Sequence, residues 1–132
     1  MLPGQSSTAQ GSPFQLSMTN WPGQPGAYAN LSFSVPGGST LAATQASVRV
    51  SVPPGQVVQA ALNANGPPGL PAGTQYFVMS GQGQFGGQDV FTGASTTLLW
   101  MAGPYGGFFT IQRSDTTGVM TVDVAVSGIV VP

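Results

Sequence analysis

The sequence carries very little charge. Its ionised side chains are two arginines, Arg49 and Arg113, and three aspartates, Asp89, Asp115 and Asp123. They make up 4% of the chain, against about 25% in an ordinary soluble domain. A nucleic-acid-binding protein needs several Lys or Arg side chains to neutralise phosphates, and two arginines are too few. The composition therefore argues against a nucleic-acid partner.

Histidine, cysteine, lysine and glutamate are absent. Transition metals need His or Cys ligands, and general acid–base catalysis draws mostly on the same missing residue types. The three aspartates could supply calcium ligands, but they lie on separate segments without the spacing of a calcium loop. We expect no metal, no cofactor and no enzymatic activity.

One stretch suggests an enzyme at first sight. FFTIQRSDTTG, residues 108–118, resembles the Asp-Thr-Gly turn that follows an apolar strand in aspartic proteases. An extra threonine between Asp115 and Gly118 breaks the match, and so short a motif often occurs by chance. Asp and Thr side chains that bond to their own backbone in a turn are far commoner. We therefore favour a structural turn at Asp115.

Long apolar runs are also missing. None approaches the ~20 residues that cross a bilayer, and MLPGQSSTAQGSP at the start lacks the basic and apolar parts of a signal peptide. We expect a protein made in the cytoplasm without a signal peptide and without a membrane partner. Hydrophobic residues still make up 41% of the 132 residues, so one folded domain is expected rather than a disordered chain.

Apolar and polar residues alternate along much of the chain, as in half-buried strands. The clearest runs lie at 30–35, 46–52 and 119–126. Arg49 and Asp123 face outward in this pattern, and we expect Asp123 to pair with Arg49 or Arg113 across a sheet. The residues predicted to face the core are Leu31, Phe33, Val35, Ala46, Val48, Val50, Val52, Met120, Val122, Val124 and Val126.

Shorter strand candidates and turns fill the rest. The candidates are 14–18, 56–62, 75–80, 89–92, 96–101, 108–113 and 129–131, and Trp100 is predicted to be a core residue. The segment 41–46 could instead form one helical turn. Gly/Pro-rich turns at 36–38, 53–55, 86–87, 103–107 and 114–118 separate the strands. The prediction is an all-β fold, an antiparallel β-sandwich, jelly roll or small barrel, with an extended arm at 1–13 and one β domain at 14–132.

The stretch NGPPGLPAG, residues 65–73, looks like collagen. A triple helix needs glycine at every third position over a long segment, and the period fails here at Ala72. We predict a stiff, polyproline-like loop. It is either a plain connector or a contact with a neighbouring subunit, with Leu70 as the contact residue.

Aromatic residues in turn-rich segments are the other candidates for contacts. Trp21, in NWPGQPGAY with Tyr28, and Tyr105, in GPYGG, are predicted to be exposed. Exposed Trp and Tyr rings either stack on sugars or anchor protein interfaces. Both interpretations stay open at this point.

Low charge bears on assembly. A free domain generally has about 25–35% charged surface residues and a net charge away from zero, which oppose self-association. Uncharged strands such as 119–126 are an aggregation hazard when an edge is exposed. A surface rich in Ser, Thr, Gln, Gly and Ala loses no ion hydration when a partner covers it. The composition favours a protein that works inside an assembly.

These features resemble the capsid decoration (cement) proteins of tailed bacteriophages. The resemblance lies in the arm MLPGQSSTAQGSP, the Cys- and Lys-free short strands, and Gly/Pro loops such as WPGQPG and NGPPGLPAG. It implies a β-rich domain, often trimeric, that binds a preformed capsid lattice and bridges its subunits. No residue roles can be carried over, because the class shares no functional signature.

The sequence therefore predicts a structural virion protein on the capsid exterior, made in the host cytoplasm, with the major capsid protein or other virion proteins as partners. It is expected to be a homo-oligomer, and the resemblance favours a trimer. The alternatives are a receptor- or glycan-binding β-sandwich module, or another minor capsid or tail protein. The residues predicted to contact partners are Leu2, Pro3 and Phe14 from the arm and its junction, Trp21, Tyr28, Tyr105 and Leu70.

Overall fold

A computed structural model describes residues 11–20, 23, 25–65, 73–96 and 99–132. Strands make up 67% of this part of the chain, which contains no helix, and so no helix that could span a membrane. Its ten strands are β1 (Ser12–Thr19), β2 (Tyr28–Phe33), β3 (Thr40–Val52), β4 (Val58–Ala64), β5 (Thr74–Tyr76), β6 (Ser80–Phe85), β7 (Gln88–Ser95), β8 (Leu99–Ala102), β9 (Gly107–Arg113) and β10 (Thr121–Val131).

The strands form two antiparallel sheets packed face to face. The six-stranded sheet has the order β1-β10-β3-β7-β6, and the four-stranded sheet has the order β2-β9-β4-β5. Strand β3 is long enough for two neighbours on one side, since β8 pairs with its first residues and β7 with its last. The all-β prediction is confirmed, and its architecture is a sandwich.

The core lies between the sheets and follows the predicted alternation. Every residue that the sequence assigned to the core in the three clearest runs is buried. The four-stranded sheet contributes larger side chains, with Phe109 fully buried between Phe33 and Phe77. Ring centroids lie 6.1 Å from Phe33 and 6.3 Å from Phe77, within the range of favourable aromatic pairs.

A β-bulge explains two errors in the predicted elements. Residues 41–46 belong to strand β3 rather than to a helical turn, and 129–131 continue β10 rather than forming a separate strand. Between Gln45 and Ala43 the register to β10 slips, so Thr44 has no partner opposite it. The extra residue interrupts the period of two on which the prediction depended. Gly128 lies at the slip, and any side chain there would collide with the backbone of Ala42.

Strand β6 is the main element that the sequence did not reveal, whereas its partner β7 and the turn between them were predicted at 89–92 and 86–87. The run predicted at 75–80 is split, because β5 ends at Tyr76 and β6 begins at Ser80 in the other sheet. Gly86 and Gly87 both adopt positive φ and form the two-residue turn of the hairpin, which few other residues tolerate. Strand β6, SGQGQF, lacks a hydrophobic pattern, so periodicity could not identify it.

Candidate partner-binding surfaces

The structure describes three of the seven predicted contact residues. Leu2, Pro3, Trp21 and Leu70 lie outside the described residues, as do most of the predicted arm and of the collagen-like loop. Phe14 lies in β1, opposite Gly128 of β10, and packs partly buried against the core. Much of its side chain is therefore engaged within the domain.

Tyr28 and Tyr105 are both exposed, at 58% and 47%, but they lie at opposite ends of the sandwich. Tyr28 begins β2, whereas Tyr105 precedes Gly107, which pairs with the last residue of β2. The length of β2 separates them by about 17 Å. They cannot form one continuous platform for a small ligand.

Backbone contacts fix the loop that presents Tyr105. The Tyr105 N–H donates to the Ala102 carbonyl at 2.9 Å, and the Asn65 side-chain amide donates to the Tyr105 carbonyl at 3.4 Å. Gly106 has a φ of 66°, and a Cβ there would collide with the Phe33 carbonyl. Tyr105 is therefore exposed on a well-supported turn.

Trp100 corrects the sequence prediction. It is 57% exposed rather than part of the core. Its neighbour Met101 is fully buried, and successive side chains of a strand point to opposite faces. Once Met101 faces inward, Trp100 must face out. Further large apolar side chains that the sequence did not single out are also exposed in the described chain: Val57, Tyr76, Val78, Phe85, Val119 and Ile129.

Arg113 links two loops through hydrogen bonds from its buried guanidinium. It is 2% exposed at the end of β9, and its guanidinium donates to at least five backbone carbonyls and to the Gln56 side-chain oxygen. The acceptors lie in two loops, Pro25 and Gly26 in one and Thr116, Thr117 and Gly118 in the other, with the shortest bond, 2.7 Å, to Gly118. Arginine suits this position because its planar fork presents five donors.

Two of the aspartates also have structural hydrogen bonds. The Asp89 carboxylate accepts the Gly55 N–H at 3.0 Å. The Asp115 carboxylate accepts the Thr117 N–H and hydroxyl, each at 3.0 Å. The backbone hydrogen bond from Thr117 lowers the pKa of the exposed Asp115 carboxyl. A general acid needs the opposite shift, so the geometry supports the interpretation of this segment as a turn.

Arg49 and Asp123 remain, and they stand directly opposite each other on β3 and β10. The predicted cross-strand position of Asp123 is thus confirmed, with Arg49 rather than Arg113 as its neighbour. The predicted ion pair itself is not observed, because neither side chain makes a hydrogen bond or an ion pair within the described residues. Both line a shallow groove of about 720 Å³ on the outer face of the six-stranded sheet.

Among the described residues, the outer face of the four-stranded sheet carries tyrosines and amides and no charge. Tyr28 and Tyr76, the latter 75% exposed, stand on its two edge strands. Between them the low side chains of Ala61 and Thr110 form the floor of a second shallow groove, of about 440 Å³, with Gln59 at its side. The Gln112 amide donates to the Tyr28 hydroxyl at 3.3 Å.

Strand β6 is the most exposed element of the described fold. It is an edge of the six-stranded sheet, and all six of its residues are exposed, whichever face they point to. Gly81, which lies opposite Phe91 on the core side, is exposed as well. The strand contains no charge and no proline, the two residue classes that usually protect an edge.

Comparisons of the chain with protein-family models, with curated proteins and with solved structures found no match. Within the described residues, no group of three or more acidic side chains is arranged to hold a metal ion. Functional inference therefore depends on the surfaces themselves, and the sequence prediction had identified only Tyr28 and Tyr105 among their exposed aromatics.

Proposed function

We propose that the chain is a structural protein of a virus particle that binds the capsid and stabilises it by bridging neighbouring capsid subunits. The exposed edge strand β6 carries this proposal. An uncharged edge offers unpaired N–H and C=O groups to another chain. In an assembly, a partner strand or surface would cover these N–H and C=O groups.

The rest of the surface supports a permanent place in an assembly. The described exterior combines exposed aromatic side chains, such as Trp100 and Phe85, with neutral hydroxyls and amides. Aromatic residues are enriched in the buried centres of interfaces, and charged ones are depleted there. Each copy would add apolar and neutral polar contact across a capsid boundary without stripping ions of their water.

The test is to introduce charge on β6. In the variant Gln84→Lys/Phe85→Lys, consecutive side chains place one charge on each face of the edge strand. We expect particle occupancy to fall about tenfold or more, while the melting temperature changes little because both residues are exposed. Purified particles would be scored for copy number by quantitative mass spectrometry.

The matched control is Val57→Lys/Gln59→Lys, which replaces an exposed apolar residue and an exposed glutamine elsewhere. It adds the same charge and should leave occupancy near the wild-type value. Full occupancy of the β6 variant, or equal loss in both variants, would show that β6 is not the contact.

A second candidate function, binding of a neutral glycan, is favoured by the outer face of the four-stranded sheet. Tyrosine rings offer apolar faces to sugar rings, while amides both donate to and accept from hydroxyl groups. Because Tyr28, Tyr76, Gln59 and Gln112 carry no charge, an uncharged sugar is the matching ligand.

Glycan-array binding would test this candidate. If it is correct, Tyr28→Ala and Tyr76→Ala each reduce binding about tenfold or more, whereas Tyr105→Ala, at the far end of the sandwich, leaves it unchanged. Absence of binding by the wild-type protein would remove the candidate.

A further inference from the structure

Two charged side chains on the outer face of the six-stranded sheet have no partner-binding or structural role so far. Of the five ionised side chains, Arg113, Asp89 and Asp115 each make hydrogen bonds to the backbone within the fold. Arg49 and Asp123 make no such contact among the described residues. They nevertheless lie at adjacent positions on one exposed sheet face, in a chain with only five ionised side chains. An exposed pair of this kind contributes little to the stability of a monomer.

Small and neutral side chains surround the pair. Across the sheet, one row runs Thr19, Asp123, Arg49, Thr92 and Ser80. The adjacent row runs Ser17, Ala125, Ser47 and Ala94. Small side chains let a second layer approach closely, and no other charge lies in either row to repel it.

The charges of this face are complementary to those of its own copy. Consider a two-fold axis that runs parallel to the strands, midway between β3 and β10. It sets Asp123 of one copy over Arg49 of the other, and the reverse pair forms at the same time. Stacked sheets lie roughly 10 Å apart, a gap that an arginine and an aspartate can bridge together.

The face is also large enough for a dimer. With this axis the strands β1, β10, β3 and β7 of the two copies overlap, and β6 lies beyond the overlap. Four strands spaced by about 4.8 Å and about eight residues long give roughly 19 by 27 Å, so two copies would bury about 1,000 Å² in total, the size that a specific interface has to reach.

We propose that the outer face of the six-stranded sheet is a two-fold self-association surface, in which Arg49 of each copy pairs with Asp123 of the other. The occupant is a second copy of this chain. The proposal goes beyond capsid binding and does not depend on it, since the contact forms in the isolated protein.

Charge reversal distinguishes a contact between two copies from an interaction within one monomer. Arg49→Asp makes the pair wholly negative, and Asp123→Arg makes it wholly positive. We expect each variant alone to self-associate roughly tenfold to a hundredfold more weakly than the wild type, because like charges now meet across the interface. An equimolar mixture should form one-to-one dimers, and the double exchange Arg49→Asp/Asp123→Arg should dimerise like the wild type.

Sedimentation velocity without particles measures the isolated full-length wild type, the two single variants, their mixture and the double exchange. Thermal melts check folding, and Arg49→Gln and Asp123→Asn replace any reversal variant that fails to fold. They should weaken dimers more modestly. A monomeric wild type, single variants that dimerise normally, or a mixture that stays monomeric would each overturn the proposal. A monomeric wild type would leave the groove to a partner of different sequence.

Discussion

Replacing Arg113 with methionine will lower the free energy of unfolding by about 3–5 kcal/mol. Methionine fills much of the space but donates no hydrogen bond. The carbonyls of two loops, including those of Gly26 and Gly118, would lose their charged donor in a partly buried setting. Urea unfolding measures the effect, and a loss of this size is a large fraction of a typical domain's stability.

The second arginine of the chain is the matched control. Arg49 is exposed and has no hydrogen bond within the described structure. At protein concentrations low enough to keep wild type and variant monomeric, Arg49→Met should therefore change the stability by no more than about 0.5 kcal/mol. Arg113→Lys keeps the charge but supplies a single ammonium in place of the fork, and we expect most of the loss to remain. Equal effects of Arg113→Met and Arg49→Met would contradict the structural role of Arg113.

Truncating Phe109 to alanine will cost about 3–5 kcal/mol, through lost burial and the cavity left behind. The ring is completely buried and lies against Phe33 and Phe77, which come from two other segments of the chain.

Phe108 supplies the control for this prediction. It precedes Phe109 in the same strand, points to the outer face and is only half-buried. Phe108→Ala should cost about 1 kcal/mol. Urea unfolding of the two variants would contradict the inward orientation of Phe109 if Phe108→Ala proved the more damaging.

Much of the sandwich could be predicted from the sequence because its strands are half-buried. Where one face is apolar and the other polar, a period of two reveals both the strand and the direction of its side chains. Runs such as 46–52 meet this condition, and their orientation was correct residue by residue. The turns were identified for a related reason, since Gly and Pro occupy them for backbone geometry.

The errors arose where that condition fails. The bulge at Thr44 shifts the period within β3, and β6 has no buried face to create a pattern. Trp100 was misplaced because it follows the apolar run TTLL, whereas the alternation with buried Met101 turns its side chain outward. Strand pairing brings together residues 74 positions apart, Arg49 and Asp123, and only the outward direction of each was visible in the sequence. The carbonyl shell of Arg113 comes from loops, whose paths local patterns do not determine.

The most direct test of the proposed function is to sediment the native protein from its source and identify by mass spectrometry where it runs. We predict that it co-sediments in many copies with intact virus-sized particles, because its uncharged edge strand β6 is then covered by capsid subunits. Recovery only in the free soluble fraction or at a cell surface would contradict the capsid role and make the glycan-binding module the leading candidate.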